Sequence, residues 1–277
     1  MPLHCVVCVK QVPDTTQVRI DPETGSLVRS GIPSVINPFD LFAIEAALRA
    51  RDGHGGSVTA LSMGPPQAEE ALRKTLGFGA DRAVLLSDRA FAGADTLATT
   101  YALAAAIRRI DGEQPVDLVV CGKQSIDGDT GQVGPGIARR LAFSELTYVC
   151  AVDRISPEER HIRAWRQRED GRELLEAELP ACVTVTEGCN AIRRAALPDL
   201  LAASRQPVEV WSVDDLDVER EDLGLKGSPT RVSKIFAPPA RERGEMLTEP
   251  DKPLAAAVAD LMDRLAARGL AFGSARG

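Results

Sequence analysis

CGKQSIDGDTGQVGPG, residues 121–136, follows the apolar run VDLVV and precedes IARRL. Five glycines and two aspartates, with lysine, serine, threonine and glutamine, fill the stretch between them. An apolar run, a glycine-rich polar stretch and a returning apolar pattern read as a strand end, a loop and a helix start. Parallel α/β sheets bind their ligands at such junctions, beyond the carboxyl ends of the strands.

The same rhythm runs outward in both directions. Residues 4–12 (HCVVCVKQV), 57–64, 80–87, 116–122 and 146–152 read as strands. The first is apolar on both faces, as a strand covered by helices must be. Helices are predicted from Asn37-Pro38 onward and over 65–79, 93–110 and 131–142. Asn37 suits a capping role and Pro38 the first helical turn. VRIDPETGSLVR, 18–29, predicts a short hairpin. Alternation of strand and helix predicts a doubly wound, mostly parallel, Rossmann-like α/β sheet.

Beyond residue 152 the pattern changes. RHIRAWRQR and RELLEAELP flank Glu169-Asp170-Gly171, which predicts an antiparallel hairpin inserted over about 153–180. ACVTVTEG, 181–188, reads as another buried strand, followed by a loop, a short helix and a strand. Residues 1–222 are expected to form the nucleotide-binding α/β domain, and 223–277 a C-terminal arm and helix. The segment 223–250 has no sustained periodicity, so it reads either as a linker or as an arm ordered on a partner. Val232, Ile235 and Phe236 are apolar anchors that favour the arm. PLAAAVADLMDRLAARG, 253–269, reads as a terminal helix suited to docking.

Composition narrows the function classes. The chain has 277 residues, 44% hydrophobic and 26% charged, with a net charge of −7. That balance argues against nucleic acid or an anionic membrane as the main partner. No apolar run approaches the roughly 20 residues that span a bilayer, and MPLHCVVCV lacks the features of a signal peptide. Six scattered cysteines suit a reducing cytoplasm. Cys5 and Cys8 form a CxxC within a strand, where side chains three apart face opposite ways, so they cannot chelate one ion.

The 121–136 stretch fits no standard nucleotide fingerprint. Gly122-Lys123 is followed by Gln124, so there is no Walker loop, and no GxGxxG occurs. Its chemistry nevertheless suits a phosphate. A helix N-terminus offers free N–H groups and partial positive charge. Gly128 and Gly131 allow close backbone approach, and Thr130 and Gln132 can donate hydrogen bonds. Asp127 and Asp129 would repel phosphate, so they read as caps or ribose ligands. A plain solvent loop with Asp-Gly turns is the competing reading. There is no Gly-x-Ser-x-Gly elbow, and His4, His54 and His161 have no evident catalytic neighbours.

Taken in order, VCVKQVPDT, VINPFDLFAIEAALR, SMGPPQAEEALRKTLGFGADRAVLLSD, GADTLATT and CGKQSIDGDTGQVGP resemble the β subunit of electron transfer flavoproteins, over about residues 1–250. Ala164, Arg166, Glu169-Asp170-Gly171, Glu173, Leu175, Pro180, Val183 and Thr184 also resemble the family signature, with Cys182 where an aliphatic residue is usual. The resemblance implies a nucleotide α-hydrolase-like fold and a heterodimer with an FAD-carrying α subunit. It implies a buried adenine nucleotide in this chain, either structural AMP or, in the bifurcating and nitrogen-fixation-associated branch, a second FAD that takes a hydride from NADH.

The family's pocket falls on Cys8, on Asn37, Pro38, Phe39 and Asp40, on Met63, and on Gly122, Lys123, Gln124, Ser125, Ile126, Asp127, Gly128, Asp129, Thr130, Gly131, Gln132 and Val133. GADTLATT looks like the bifurcating-type loop: Gly93, Ala94 and Ala98 are small enough to admit a ring system, and Asp95, Thr96 and Thr99 are polar. Leu197 matches the leucine with which the family grips a dehydrogenase or quinone-reductase-type redox partner, although the residues around it depart from the usual pattern. A nucleotide-hydrolysing enzyme or a nucleotide sensor of the same topology would be the alternatives. The first would need a reactive basic or metal motif, and the second has no use for a long tail.

Overall fold

Val, Leu, Ala and Cys alternate their faces along the predicted strands, so each strand feeds two cores at once. The computed structural model describes residues 2–14, 19–20, 27–28, 33–233, 244–247 and 253–270. It falls into two compact units, Met1–Ile235 and Phe236–Gly277.

In the first unit, strand β1 (Leu3–Cys8) leads into the short β2 (Gln11–Pro13). Two-residue strands β3 (Arg19–Ile20) and β4 (Leu27–Val28) pair antiparallel, as the hairpin reading requires, while residues 21–26 between them lie outside the described residues. Then come β5 (Ser34–Ile36), α1 (Pro38–His54), β6 (Gly56–Met63), α2 (Glu69–Phe78), β7 (Arg82–Leu86), α3 (Thr96–Glu113), β8 (Leu118–Gly122) and α4 (Val133–Leu141). β9 (Ser144–Ser156), β10 (His161–Gln167), β11 (Arg172–Glu178), β12 (Ala181–Val185), α5 (Leu197–Ala203) and β13 (Glu209–Trp211) complete it.

Nine strands form one sheet in the order β11-β10-β9-β12-β8-β1-β6-β7-β13. From β9 to β13 every neighbouring pair is parallel, and β10 runs antiparallel to both of its neighbours, β9 and β11. The doubly wound mixed sheet is therefore present. The hairpin prolongs the main sheet because β9 runs on to Ser156 and pairs with β10 along its length.

Helices cover both faces. Leu3, Cys5 and Val7 pack with α1 and α2 through Ala43, Ile44, Leu48 and Leu72. Val6 and Cys8 pack on the other side with α3 and α4 through Ala102, Ile107, Ile110 and Ile137. Cys5 and Cys8 thus lie on opposite faces, as their spacing dictates.

β1 sits between β6 and β8. The chain leaves β1 toward β6 and β7, then returns to the other flank of β1 as β8. The crevice between the ends of β1 and β8 is thus the switch point of the sheet.

The chain after 222 turns back onto the loop before α3. Leu223 is buried, and the Leu225 N–H donates to the Ala92 carbonyl at 3.0 Å. Val232 is exposed, and Ile235 and Phe236 lie outside the described residues. In the second unit, α6 (Leu254–Ala267) forms as its periodicity predicts, with Arg264 paired to Asp260 at 2.8 Å and Glu245 at 2.6 Å. No helix among the described residues is long and apolar enough to cross a membrane.

Candidate functional site

Three segments meet at the switch point: the chain leaving β1, the start of α1, and the loop leaving β8. Gly122 makes their approach possible. A Cβ there would lie 2.7 Å from the Phe39 Cβ and would also strike Asp40 Oδ1. Without it, the first turn of α1 rests directly on the end of β8.

Asn37 and Asp40 lock this junction. Asn37 precedes α1 but its side chain does not cap the helix, contrary to the expectation from sequence. Its Nδ2 instead donates to Asp40 Oδ1 at 2.9 Å and to the Gln124 carbonyl at 2.8 Å. Its Oδ1 accepts the Ile126 N–H at 3.1 Å. Asn37 leaves the helix uncapped because the loop after β8 supplies both kinds of partner. Asp40 Oδ2 accepts the Lys10 N–H at 2.7 Å. Burial pushes its carboxyl up to about 7, against the pull of the Asn37 and Lys10 donors.

The loop's acidic residues are committed within the protein. Asp127 pairs with Lys10 at 2.7 Å. Its burial would raise the carboxyl, but the Lys10 ammonium holds it below the usual carboxylate range. Asp129 Oδ1 accepts Gln124 Nε2 at 2.9 Å. Lys123 differs: its ammonium meets no carboxylate among the described residues, and lies 5.2 Å from the Phe39 ring and 5.7 Å from the Tyr148 ring.

The N-termini of α3 and α4, which meet through Thr96 and Gln132, are finished differently. Asp95 caps α3, with Oδ1 accepting from Leu97 N at 3.0 Å and Ala98 N at 3.1 Å. The N-terminus of α4 has no side-chain cap, because Gln132 Oε1 accepts instead from Thr96 Oγ1 at 2.9 Å. The N–H groups of residues 130–134 make no backbone hydrogen bond among the described residues. The open end of α4 and the unpaired Lys123 offer donors and positive charge to one anionic group, as a nucleotide phosphate requires.

The structure therefore gathers Asn37, Pro38, Phe39 and Asp40 with residues 122–133, and ties Thr96 to them. Cys8 ends β1, buried in the core beneath, and Met63 ends β6, half-buried. Gly93, Ala94, Ala98 and Thr99 are placed differently. A Cβ on Gly93 would meet the Leu225 Cβ at 3.2 Å. Ala98 is buried in the core, Ala94 N–H donates to the Phe91 carbonyl and Thr99 N–H to the Asp95 carbonyl. Asp95 also reaches the following chain, with Oδ2 accepting from Thr230 Oγ1 at 2.8 Å and its N–H donating to Ser228 Oγ at 2.8 Å.

Sequence reasoning missed Lys10 and Tyr148. Lys10 stands in an apolar strand pattern with nothing to mark its partner 117 residues away. Tyr148 is revealed only by a break in the alternation of β9.

Leu197 opens α5 and is 68% exposed. Beside it lies an apolar groove of about 210 Å³ lined by Val35, Ile36, Leu41, Phe78, Ala195 and Leu200, with the Lys74 stem. The segment before α5 is pinned to α1 by Arg193, whose Nε donates to the buried Glu45 at 2.7 Å.

Residues 24–216 match the electron transfer flavoprotein domain. The chain is 53% identical to protein FixA of Bradyrhizobium diazoefficiens, over 92% of this chain and 90% of that protein. It is 46% identical to the electron transfer flavoprotein subunit beta of Clostridium acetobutylicum, over 92% and 96% of the two chains. It is 47% identical to subunit CarD of the caffeyl-CoA reductase–Etf complex of Acetobacterium woodii, over 89% and 92%. The crevice, the loop that frames it and these similarities agree: the chain belongs to the electron transfer flavoprotein family, as a β subunit of its nitrogen-fixation-associated branch.

Proposed function

We propose that this β subunit binds FAD in the crevice between β1 and β8. With its α-subunit partner it passes electrons in the cytoplasm between NADH, or a dehydrogenase or quinone-reductase-type partner, and the α-subunit FAD, by flavin-based electron bifurcation. The observation that carries the reading is the uncapped N-terminus of α4 beside a cation that has no acidic partner among the described residues. The likeness to a subunit named as part of a reductase–Etf complex supports work alongside a reductase.

When bound, FAD supplies a ring that takes up a hydride and releases electrons singly. The protein's own tasks are binding and orientation. The N–H groups of residues 130–134, without a backbone partner among the described residues, and the Lys123 ammonium would hold the phosphates. Asn37, Asp40 and Lys10 keep the loop in shape from behind, and Thr96 joins it to α3. Leu197 and the groove beside it take the redox partner's apolar side chain.

AMP in place of FAD is the second reading. The contact of Leu225 with Gly93 and the burial of Ala98 favour it, since these small residues then serve packing. Purifying the chain with its α subunit and counting the nucleotides released on denaturation tests both. Two FAD per heterodimer, with flavin bleached by NADH, is the expected result. One FAD and one AMP selects the second reading, and no nucleotide beyond the α-subunit FAD sinks the pocket assignment.

A further inference from the structure

Tyr148 is held in a backbone conformation that a tyrosine rarely adopts, with φ at 55°. The cause is a β-bulge. Val183 of β12 pairs with Leu146 of β9, and Val185 pairs with Val149. Thr147 and Tyr148 therefore face the single residue Thr184, whose hydroxyl accepts the Tyr148 N–H at 3.1 Å. Bulges bend a strand and re-aim a side chain, and they recur beside functional sites. Such strain persists where the surroundings over-determine it.

The re-aimed ring reaches the crevice. Its hydroxyl oxygen lies 3.8 Å from the point where a Cβ on Gly131 would sit. Its face is 5.7 Å from the Lys123 ammonium, which is 5.2 Å from the Phe39 ring. Both distances lie within the reach of a cation–π contact, about 6 Å. Lys123 is thereby held between two rings contributed by α1 and β9. A lysine stem is flexible and carries large rotamer entropy. Two aromatic faces restrict it without neutralising its charge, as a carboxylate would.

We propose that Tyr148 is a positioning residue of the nucleotide site: with Phe39 it fixes the Lys123 ammonium over the mouth of the crevice as a cationic contact for the nucleotide's phosphates. This rests on the nucleotide-binding reading above. The ligand class is an adenine nucleotide carrying phosphate, and the contribution of Tyr148 runs through Lys123.

The test uses the full chain purified with its α subunit, stripped of exchangeable nucleotide, with AMP and FAD as probes at two salt concentrations. Tyr148→Gly suits the left-handed backbone, so it removes the ring without a folding penalty at that residue. Nucleotide affinity should fall about 2- to 5-fold in this variant, the range expected of one cation–π contact. Tyr148→Phe keeps the ring and should match the wild type. Lys123→Met should weaken binding, flatten its salt dependence and abolish the effect of Tyr148→Gly when the two are combined. A Tyr148→Gly variant as tight as the wild type overturns the proposal. So does a Tyr148→Phe variant as weak as Tyr148→Gly, or a loss that persists in full in the Lys123→Met background. A wild-type heterodimer that binds neither probe overturns the nucleotide reading and this inference together. Normal wild-type binding with unaltered variants overturns this inference alone.

Discussion

Replacing Asp40 by Asn removes a charge that the folded chain holds at a cost. The side chain is 6% exposed, and burial lifts its carboxyl from 3.8 to about 7. The folded value lies above the unfolded one, so the native state binds the proton more tightly and stability falls as pH rises. The loss begins above about 3.8 and is complete once pH passes about 7. Each unit inside that window costs about 1.4 kcal/mol. Moving from pH 5 to pH 8 crosses two units of it, which removes about 2–3 kcal/mol from the wild type.

Asn at this position does not titrate, so its unfolding free energy should change by about that much less over the same interval. The amide brings its own penalty. It presents one acceptor oxygen and an NH2 that accepts nothing, where both oxygens of the carboxyl, protonated or ionised, can accept from Asn37 Nδ2 and Lys10 N–H, at a cost of about 1–3 kcal/mol. The variant should therefore be less stable than wild type at pH 5, with the gap closing or reversing by pH 8. Urea unfolding followed by circular dichroism at pH 5, 6, 7 and 8 measures this. Two stability curves that run parallel, separated by a constant offset, refute the reasoning, because Asp40 would then be ionised throughout.

Gly122→Ala should lower stability by about 1–3 kcal/mol through overpacking against Phe39 and Asp40 and should empty the nucleotide site. Melting and nucleotide content of the purified complex check both effects. Leu197→Glu should leave the melting transition unchanged, because the side chain is exposed, while weakening transfer to the redox partner more than about tenfold. Steady-state electron transfer at varied partner concentration reads that. With a small maleimide at neutral pH, native protein should label only at Cys150 and Cys189, with Cys150 faster, because burial pushes the Cys189 thiol up to about 11. Cys5, pushed up to about 12 by burial, and the buried Cys8, Cys121 and Cys182 should react only after unfolding, as mass spectrometry of the labelled chain would show.

Strand-helix alternation was legible in the sequence because both faces of the sheet are covered, so β1, β6, β7 and β8 carry runs that no other element explains. The loop after β8 was legible for the same reason: glycine and aspartate crowd where an apolar run ends. Long-range partners were not. Asn37 looked like a cap because capping is a local property, while two of its three side-chain partners, Gln124 and Ile126, lie some 90 residues away. Gly93 and Ala98 read as room for a ring because small residues leave space. The segment that meets Gly93 is far along the chain, in a stretch without periodicity. Tyr148 was hidden because one extra residue in β9 changes where its ring points while leaving the composition of the strand ordinary.

Asp95 closes two structures with one carboxylate. One oxygen finishes the first turn of α3, and the other holds Thr230. Its hydrogen bonds bring the carboxyl below its usual range even though burial opposes this. The loop beside the crevice and the root of the C-terminal segment are therefore a single joint. Grafting the 93–99 loop of a relative into this chain would carry across only half of it. A working exchange has to bring residues 224–230 along, so these two stretches, so distant in sequence, are expected to be inherited and engineered as a pair.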